Sequence, residues 1–448
     1  MNKESIKSVL LMILVATSLF FTWNLWNSQP PYEEFQNNSF VESVPIISEE
    51  REPYQVIKPY QLFLHTSEQH FSTYDDQYLN NLWSEMQTWD YSLSSKSNII
   101  KTYTKENFTS WIHGKEEAKV ELRFLDGIPF ETFETMFKWE TESSEDIMFD
   151  RIYLNVPREK EVQKVFFVSS ETLKIVETSV NISDANQYVA EIYSHRNELK
   201  PFFRYGTEED VDFLLPENEV KLDSFQYVIT DEIDGSVFKN ALFSNPQYVK
   251  QDVSLSKNRY TDSLRELNID SNEHTVKFVN PSLRDTSFLE SNALVSQSID
   301  YLNDHGGWTD DYVLYKINEL TQEIKYVMSI QSIPVFESSD EFFGPTMISQ
   351  KWGQSEISIY ERPSYRLMRV FSSSNTVTLM SGYELVDNLS KDPSINLKDI
   401  KDIYIMYELS GETDQRFVKI IPYWCVELQD GKILRIDGIQ RGDKSGLE

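Results

Sequence analysis

The sequence predicts an α+β protein carried on a membrane: a single N-terminal transmembrane helix, then about three mixed α+β extracytoplasmic domains with mainly antiparallel sheets. Three observations predict it. No charge occurs from Ser8 to Tyr32, and residues 9–26 (VLLMILVATSLFFTWNLW) form a nearly unbroken apolar run. Beyond it, short stretches alternate polar and apolar side chains, the two-residue period of a half-buried strand. Between them lie stretches with apolar positions three and four apart, the period of an amphipathic helix.

The apolar run is about 18 residues, near the length a helix needs to cross a hydrocarbon core. A helix is also the form in which a lone segment satisfies its own backbone groups there. Trp23 and Trp26 stand at its far end, where indole rings favour the lipid–water boundary. Lys3 and Lys7 precede it, and Glu33, Glu34, Glu42, Glu49 and Glu50 follow. That asymmetry predicts a single-pass protein of the cell membrane, with residues 1–8 in the cytoplasm, a transmembrane helix over 9–27, and the bulk of the chain outside. A cleaved signal peptide would need small residues just after the apolar core. Here the core ends in Trp23-Asn24-Leu25-Trp26, which favours a retained anchor. Leu10, Leu14, Thr17, Phe21 and Asn24 recur at spacings of four and three, so they share one helix face. This face is the candidate contact with partner membrane helices. Thr17 and Asn24 either bond a neighbouring helix or, for Asn24, lie where interfacial water reaches.

Of the 448 residues, 40% are hydrophobic and 13% aromatic, enough for sizeable cores, and the formal net charge is −30. Such a charge repels nucleic acid and opposes broad contact with anionic lipid. Solubility accounts for it. The one cysteine, Cys425, allows neither an internal disulfide nor a cysteine-based zinc site, which fits a bacterial envelope protein folded without oxidation.

Residues 28–53, with Pro30, Pro31, Pro45 and Pro53 among acidic and polar neighbours, read as a partly extended spacer. An N-terminal domain is expected over 54–200. It has strands over 54–66 (interrupted at Pro59), 119–125, 150–156 and 163–169, and helices over 75–88, 130–136 and 185–199, the last stopped by Pro201. A central domain is expected over 201–290. It has a strand over 224–233, a short helix over 236–243, and two strands within 260–280 joined at Asp270-Ser271-Asn272. A C-terminal domain follows over 291–448. Its helix over 292–303 is ended by Asp304-His305-Gly306-Gly307, glycine supplying left-handed backbone, and a strand runs over 311–318. A helix over 382–389 and a strand over 399–409 repeat that order and suggest a duplication. Residues 417–428 and 432–436 form a terminal hairpin about Asp430-Gly431.

The candidate chemistry is sparse. His65, His70, His113, His195, His274 and His305 show no metal-binding spacing, and no calcium loop is present, so neither a metal nor a cofactor is expected. His305 beside Asp304 reads as an acid–base pair or, better, as a residue suited to the negative end of a helix dipole. Asp310-Asp311 and Glu49-Glu50 read as solvated surface. Ser236-x-x-Lys239, Ser254-x-x-Lys257, Ser373-x-Asn375 and Lys444-Ser445-Gly446 follow the motif order of penicillin-recognising enzymes. However, Lys444 stands too late in the chain and neither serine precedes a strongly apolar helix. The nucleophile elbow and the glycine-rich nucleotide motifs are absent from the sequence. The aromatic richness serves core packing or a docking face, and an extracytoplasmic module binding a wall fragment or peptide is a further reading.

Several stretches resemble the YycH family. They are SLFFTWNLWNSQPPYE, NEHTVKFVNPSL, YLNDHGGWTDDYVLYKI, IPVFES, IYERPSYRL and IIPYWCVEL, with residues 303–308 (NDHGGW) the most specific block. The resemblance spans essentially the whole chain. It implies a non-enzymatic, membrane-anchored accessory regulator of the WalK (YycG) sensor histidine kinase, in the WalK–WalR system that governs cell-wall metabolism in low-GC Gram-positive bacteria. It also implies three outside α+β domains, a YycI-like partner of similar build, contact through membrane helices, and no catalytic residues, cofactor, small-molecule substrate or nucleic acid. The sign of regulation differs among family members.

Overall fold

In the computed structural model the described residues are 3–27, 50–67, 69–93, 100–113, 118–140, 147–156, 163–180, 183–206, 213–229, 233–254, 256–281, 288–339, 341–353, 356–369, 375–411 and 417–436. The chain divides into two units, 1–42 and 43–448. Most of the expected spacer, residues 28–49, lies outside the described residues.

In the first unit, α1 (Lys3–Asn27) is one helix of 25 residues. Leu11, Met12, Leu14, Val15, Leu19, Phe20, Phe21 and Trp23 are exposed on it. Among the described residues no helix is long and apolar enough to cross a membrane. The expected anchor is taken up below as a proposal.

The second unit opens with α2 (Pro53–Val56), β1 (Gln61–His65), β2 (His70–Thr73), α3 (Asp76–Met86), β3 (Asp90–Leu93), β4 (Ile100–Thr102), α4 (Lys105–His113), β5 (Lys119–Pro129), α5 (Phe130–Met136) and β6 (Lys138–Trp139). Next come β7 (Met148–Asn155), β8 (Gln163–Ser169), β9 (Lys174–Val180), α6 (Ser183–Ser194), β10 (Lys200–Tyr205) and β11 (Phe213–Pro216). These strands form one 11-stranded sheet ordered β11-β10-β2-β1-β5-β7-β8-β9-β3-β6, with β4 also on β9. The sheet therefore crosses Pro201: β10 pairs with β2, placing Pro201 opposite Phe71.

The second sheet is built from β12 (Val220–Ile229), α7 (Gly235–Leu242), β13 (Lys250–Val253), β14 (Lys257–Thr261), β15 (Glu266–Asp270), β16 (Thr275–Val279), α8 (Ser291–Asp304), β17 (Tyr312–Asn318), β18 (Glu323–Ile330), β19 (Ile333–Glu337) and β20 (Met347–Trp352). It is completed by β21 (Ile357–Pro363), β22 (Leu367–Arg369), β23 (Asn375–Leu379), α9 (Gly382–Lys391), β24 (Ile400–Ser410), β25 (Phe417–Leu428) and β26 (Ile433–Ile436). Fifteen strands make one sheet with the path β13-β14-β15-β16-β21-β20-β18-β19-β24-β25-β12-β22. Strands from both sides of residue 290 share it. Ladders are mainly antiparallel, and β19–β24 and β3–β6 run parallel. The fold class is thus mixed α+β with mainly antiparallel sheets.

Local chemistry explains where the elements begin. Asp75 caps α3 by accepting the Gln77 amide at 3.0 Å. Ser381 and Glu384 form a capping box at α9. Gly431 has φ +83° in the terminal hairpin, the conformation expected there. Two expectations are corrected. Residues 53–56 are helical, because Glu52 and Gln55 make a capping box and Pro53 occupies the first turn; the strand starts only at Gln61. Helix α6 ends at Ser194, where Ser194 Oγ donates to the Glu191 carbonyl at 2.8 Å, and the strand that holds Pro201 starts six residues later at Lys200.

Aromatic residues fill the core of the first sheet. Phe167, fully buried, has Phe130 and Phe133 each at 5.2 Å and Trp139 at 5.8 Å between ring centroids. These rings come from α5, β6 and β8, so one side chain joins the helix layer to the sheet. Phe167→Ala should cost about 3–5 kcal/mol in urea unfolding, cavity included. A loss under 1 kcal/mol would show that the ring cluster is not what holds α5 to the sheet.

Candidate functional site at the loop following helix α8

The polar architecture of the second sheet converges on residues 303–311. Helix α8 stops because Gly306 takes φ +63°, and the amide of Gly307 returns to the Leu302 carbonyl at 2.7 Å. A Cβ at Gly307 would meet Leu302 Cδ2 at 2.8 Å, so the turn also requires glycine there for space. The sharp turn presents backbone and side-chain oxygens to Arg362 on β21, which has no exposed surface. Arg362 donates to the Gly307 carbonyl (2.6 Å), the Thr309 hydroxyl (2.8 Å), the Tyr360 hydroxyl (3.2 Å) and its neighbour's Pro363 carbonyl (3.1 Å). A buried charge is tolerable only when its donors are matched in this way.

His305 lies beside this guanidinium, with Nε2 at 3.2 Å from the Tyr360 hydroxyl. Burial, reinforced by Arg362, pushes its pKa down to about 3. His305 is therefore neutral and buried, and the expected favourable charge at the helix end is corrected. Its ring bonds the Tyr360 hydroxyl on strand β21 and the backbone of Tyr301 in α8. Asp310 is corrected too. Its carboxyl is buried, accepts the Leu367 amide at 3.0 Å, and is held above the usual carboxylate range by that burial. Asp311 does face solvent, where it meets Arg51 at 2.9 Å. Trp308, 1% exposed, donates to Asn303 Oδ1 at 2.7 Å and sets its ring edge-on to Tyr326. The same Asn303 oxygen accepts the Arg51 amide at 2.8 Å, while Asn303 Nδ2 donates to the Arg51 carbonyl at 3.0 Å.

A second buried charge lies on the other face of the first sheet. Glu121 meets Arg123 Nε and His65 Nε2 at 2.6 Å each, and Arg151 at 3.3 Å. Burial drives the Glu121 pKa up, but Arg123 and Arg151, helped by His65, hold it well below the usual range. His65 Nδ1 lies 2.8 Å from His70 Nδ1. The alternation over 119–125 predicts the strand, but it does not show that Glu121 and Arg123 on its polar side are buried. The neighbouring β1 is buried along all five residues, so the sheet is covered on both sides there.

The other candidates resolve into local structure. Ser236 opens α7, its amide held by Asp234 Oδ1 at 2.7 Å. Ser254 Oγ donates to the Lys257 carbonyl, and Lys257 Nζ pairs with Asp270. Ser373 and residues 444–446 lie outside the described residues. Among the described residues no group of three or more His, Cys, Asp or Glu side chains could hold a metal. A cleft of about 590 Å³ beside α8 is lined by Arg265, Phe278, Asp300, Tyr301 and Trp352 among others. On α1, Leu14, Thr17 and Phe21 are exposed, and the side chains of Leu10 and Asn24 lie outside the description.

Two family descriptions cover nearly all of this architecture: "YycH protein, N-terminal domain" matches residues 4–197, and "YycH protein, C-terminal domain" matches 210–443. The chain belongs to the YycH family. A Bacillus subtilis (strain 168) relative, named two-component system WalR/WalK regulatory protein YycH, is 30% identical over 462 residues, 100% of both chains. The crystal structure of YycH from Bacillus subtilis matches with a TM-score of 0.75 at 27% identity, covering 88% of this chain and 98% of that one. Strands β10 and β11 lie beyond the end of the N-terminal family match, and β11 lies within the C-terminal match, yet both complete the first sheet.

Two outcomes follow from the loop. Arg362→Met keeps bulk but leaves the Gly307 and Thr309 oxygens without their donor, and should cost about 3 kcal/mol in urea unfolding. His305 is neutral both folded and unfolded above pH 6.5. Between pH 6.5 and about 3 only the unfolded chain binds its proton, so stability falls as pH falls through that window. The slope is at most about 1.4 kcal/mol per pH unit. His305→Gln should flatten unfolding free energies measured from pH 6.5 to 5, above the range where carboxylates such as Glu121 add a loss of the same sign.

Proposed function

We propose that this chain is a membrane-anchored, non-enzymatic regulator of the WalK sensor histidine kinase, working with a YycI-like accessory protein. The relation over the full length of both chains to a protein named as a WalR/WalK regulatory protein carries the reading. In this proposal α1 is the anchor, the N-terminus is cytoplasmic, and residues 43–448 act outside. Support comes from its unbroken helix, its uncharged stretch from Ser8, and its exposed apolar side chains, which water solvates poorly. The face with Leu10, Leu14, Thr17, Phe21 and Asn24 meets the partner helices.

Such control needs only differential affinity. A regulator that binds one kinase state more tightly shifts the equilibrium by that difference. About 1.4 kcal/mol changes the ratio of states tenfold, within reach of a few interhelical hydrogen bonds and packed side chains. A second reading, an extracytoplasmic module for a wall fragment or peptide, draws on the cleft beside α8. Thermal stabilisation by the fragment would favour it.

Pull-down from membranes separates these readings. The full chain should retain WalK, and a chain with α1 replaced by an unrelated anchor should lose it. Thr17→Leu with Asn24→Leu should weaken retention about tenfold. Equal retention by the anchor-swapped chain would remove the membrane contact from the mechanism.

A further inference from the structure

Residues 51–57 follow the tether in sequence and precede the first strand of the first sheet, yet they hold both sheets. On one side, the Asn303 side-chain amide pairs with the Arg51 backbone as a neighbouring strand would: Arg51 N–H donates to Oδ1 at 2.8 Å, and Nδ2 donates to the Arg51 carbonyl at 3.0 Å. Two further bonds fix the Arg51 side chain, one to Asp311 at 2.9 Å and one to the Asp310 carbonyl at 3.4 Å. On the other side, the Tyr54 carbonyl accepts Trp83 Nε1 from α3 at 3.0 Å. The Trp83 ring packs edge-on against Phe124 and Phe137 of the first sheet's core. Just after the second hold, Val56 and Ile57 are completely buried.

We propose that residues 51–57 are a strap tying the N-terminal tether to the second sheet through Asn303 and to the first sheet through Trp83. A shift of one sheet against the other then stretches or releases the strap at Arg51, at the start of the folded unit. Asn303 is the positioning residue of this device. A primary amide offers a donor and an acceptor side by side, so it grips one peptide in one register. Trp308, sharing the Asn303 oxygen, locks the amide's orientation. The chemistry explains why the 303–308 block carries an asparagine and a tryptophan five residues apart. The transmission step rests on the anchor reading; the strap itself does not.

Hydrogen exchange on the full chain in lipid nanodiscs tests it. Asn303→Leu should speed exchange of the Arg51 and Ile57 amides at least tenfold, with amides of β5 and β18 unchanged. Asn303→Asp keeps the acceptor and loses the donor, so it should give an intermediate effect. Retained protection at Arg51 in Asn303→Leu overturns the strap. So does acceleration spread evenly through β5 and β18, which marks Asn303 as a general stability residue. In cells, Asn303→Leu should change a WalR-dependent reporter while still co-purifying with WalK. A loosened strap with an unchanged reporter overturns transmission. If even the wild-type chain fails to co-purify with WalK, the proposed function fails while the exchange result still decides the strap.

Discussion

Arg362 must hold its guanidinium where no water reaches, and each donor needs an oxygen in place. The chain meets that demand by turning sharply after α8, so that Gly307 and Thr309 offer their oxygens from one side and Tyr360 from the sheet. The turn in turn dictates glycine at 306 for its positive φ and at 307 for space. Trp308 is carried into the core by the same turn, and its indole N–H holds the Asn303 amide against Arg51. One buried charge thus specifies the geometry that reaches the beginning of the folded unit, more than two hundred residues away in sequence.

The first sheet uses the same device with the opposite sign. Glu121 is buried and satisfied by two guanidiniums and an imidazole, on a face that alternating polarity alone would assign to solvent. Removing one partner from such a cluster leaves a charge without compensation, which is why buried networks tolerate little change. Aromatic packing does the complementary work: Phe167 gathers rings from helix and sheet at van der Waals range, and the high aromatic content is explained there by core packing.

Much of this was legible in the sequence where local chemistry decides the outcome. The helix at 75–88 follows from four-residue spacing, those at 130–136, 236–243 and 292–303 from the proline or glycine that bounds them, and the terminal hairpin from Asp430-Gly431. What was hidden depends on distant partners. Asp310 looks like half of a surface doublet until Leu367 and Arg362 come together around it. His305 looks like a charged helix end until burial neutralises it. Strands β10 (KPFFRY) and β11 (FLLP) carry no polar–apolar alternation, and they take their place because β10 pairs with β2 across the chain and β11 with β10. The 303–308 block stood out by family resemblance, but its role needed Arg51, Tyr360 and Arg362, none of them near it in sequence.

A double-mutant cycle between Asn303 and Arg362 tests the central claim most directly. Asn303 opens the loop, and Arg362 holds it through the Gly307 and Thr309 oxygens. If that loop is a single unit, Asn303→Leu and Arg362→Met together should destabilise the chain less than the sum of the single changes, with a coupling of about 1 kcal/mol or more. Additivity within about 0.3–0.5 kcal/mol would mean that the buried guanidinium and the grip on Arg51 are independent, and the account would fail.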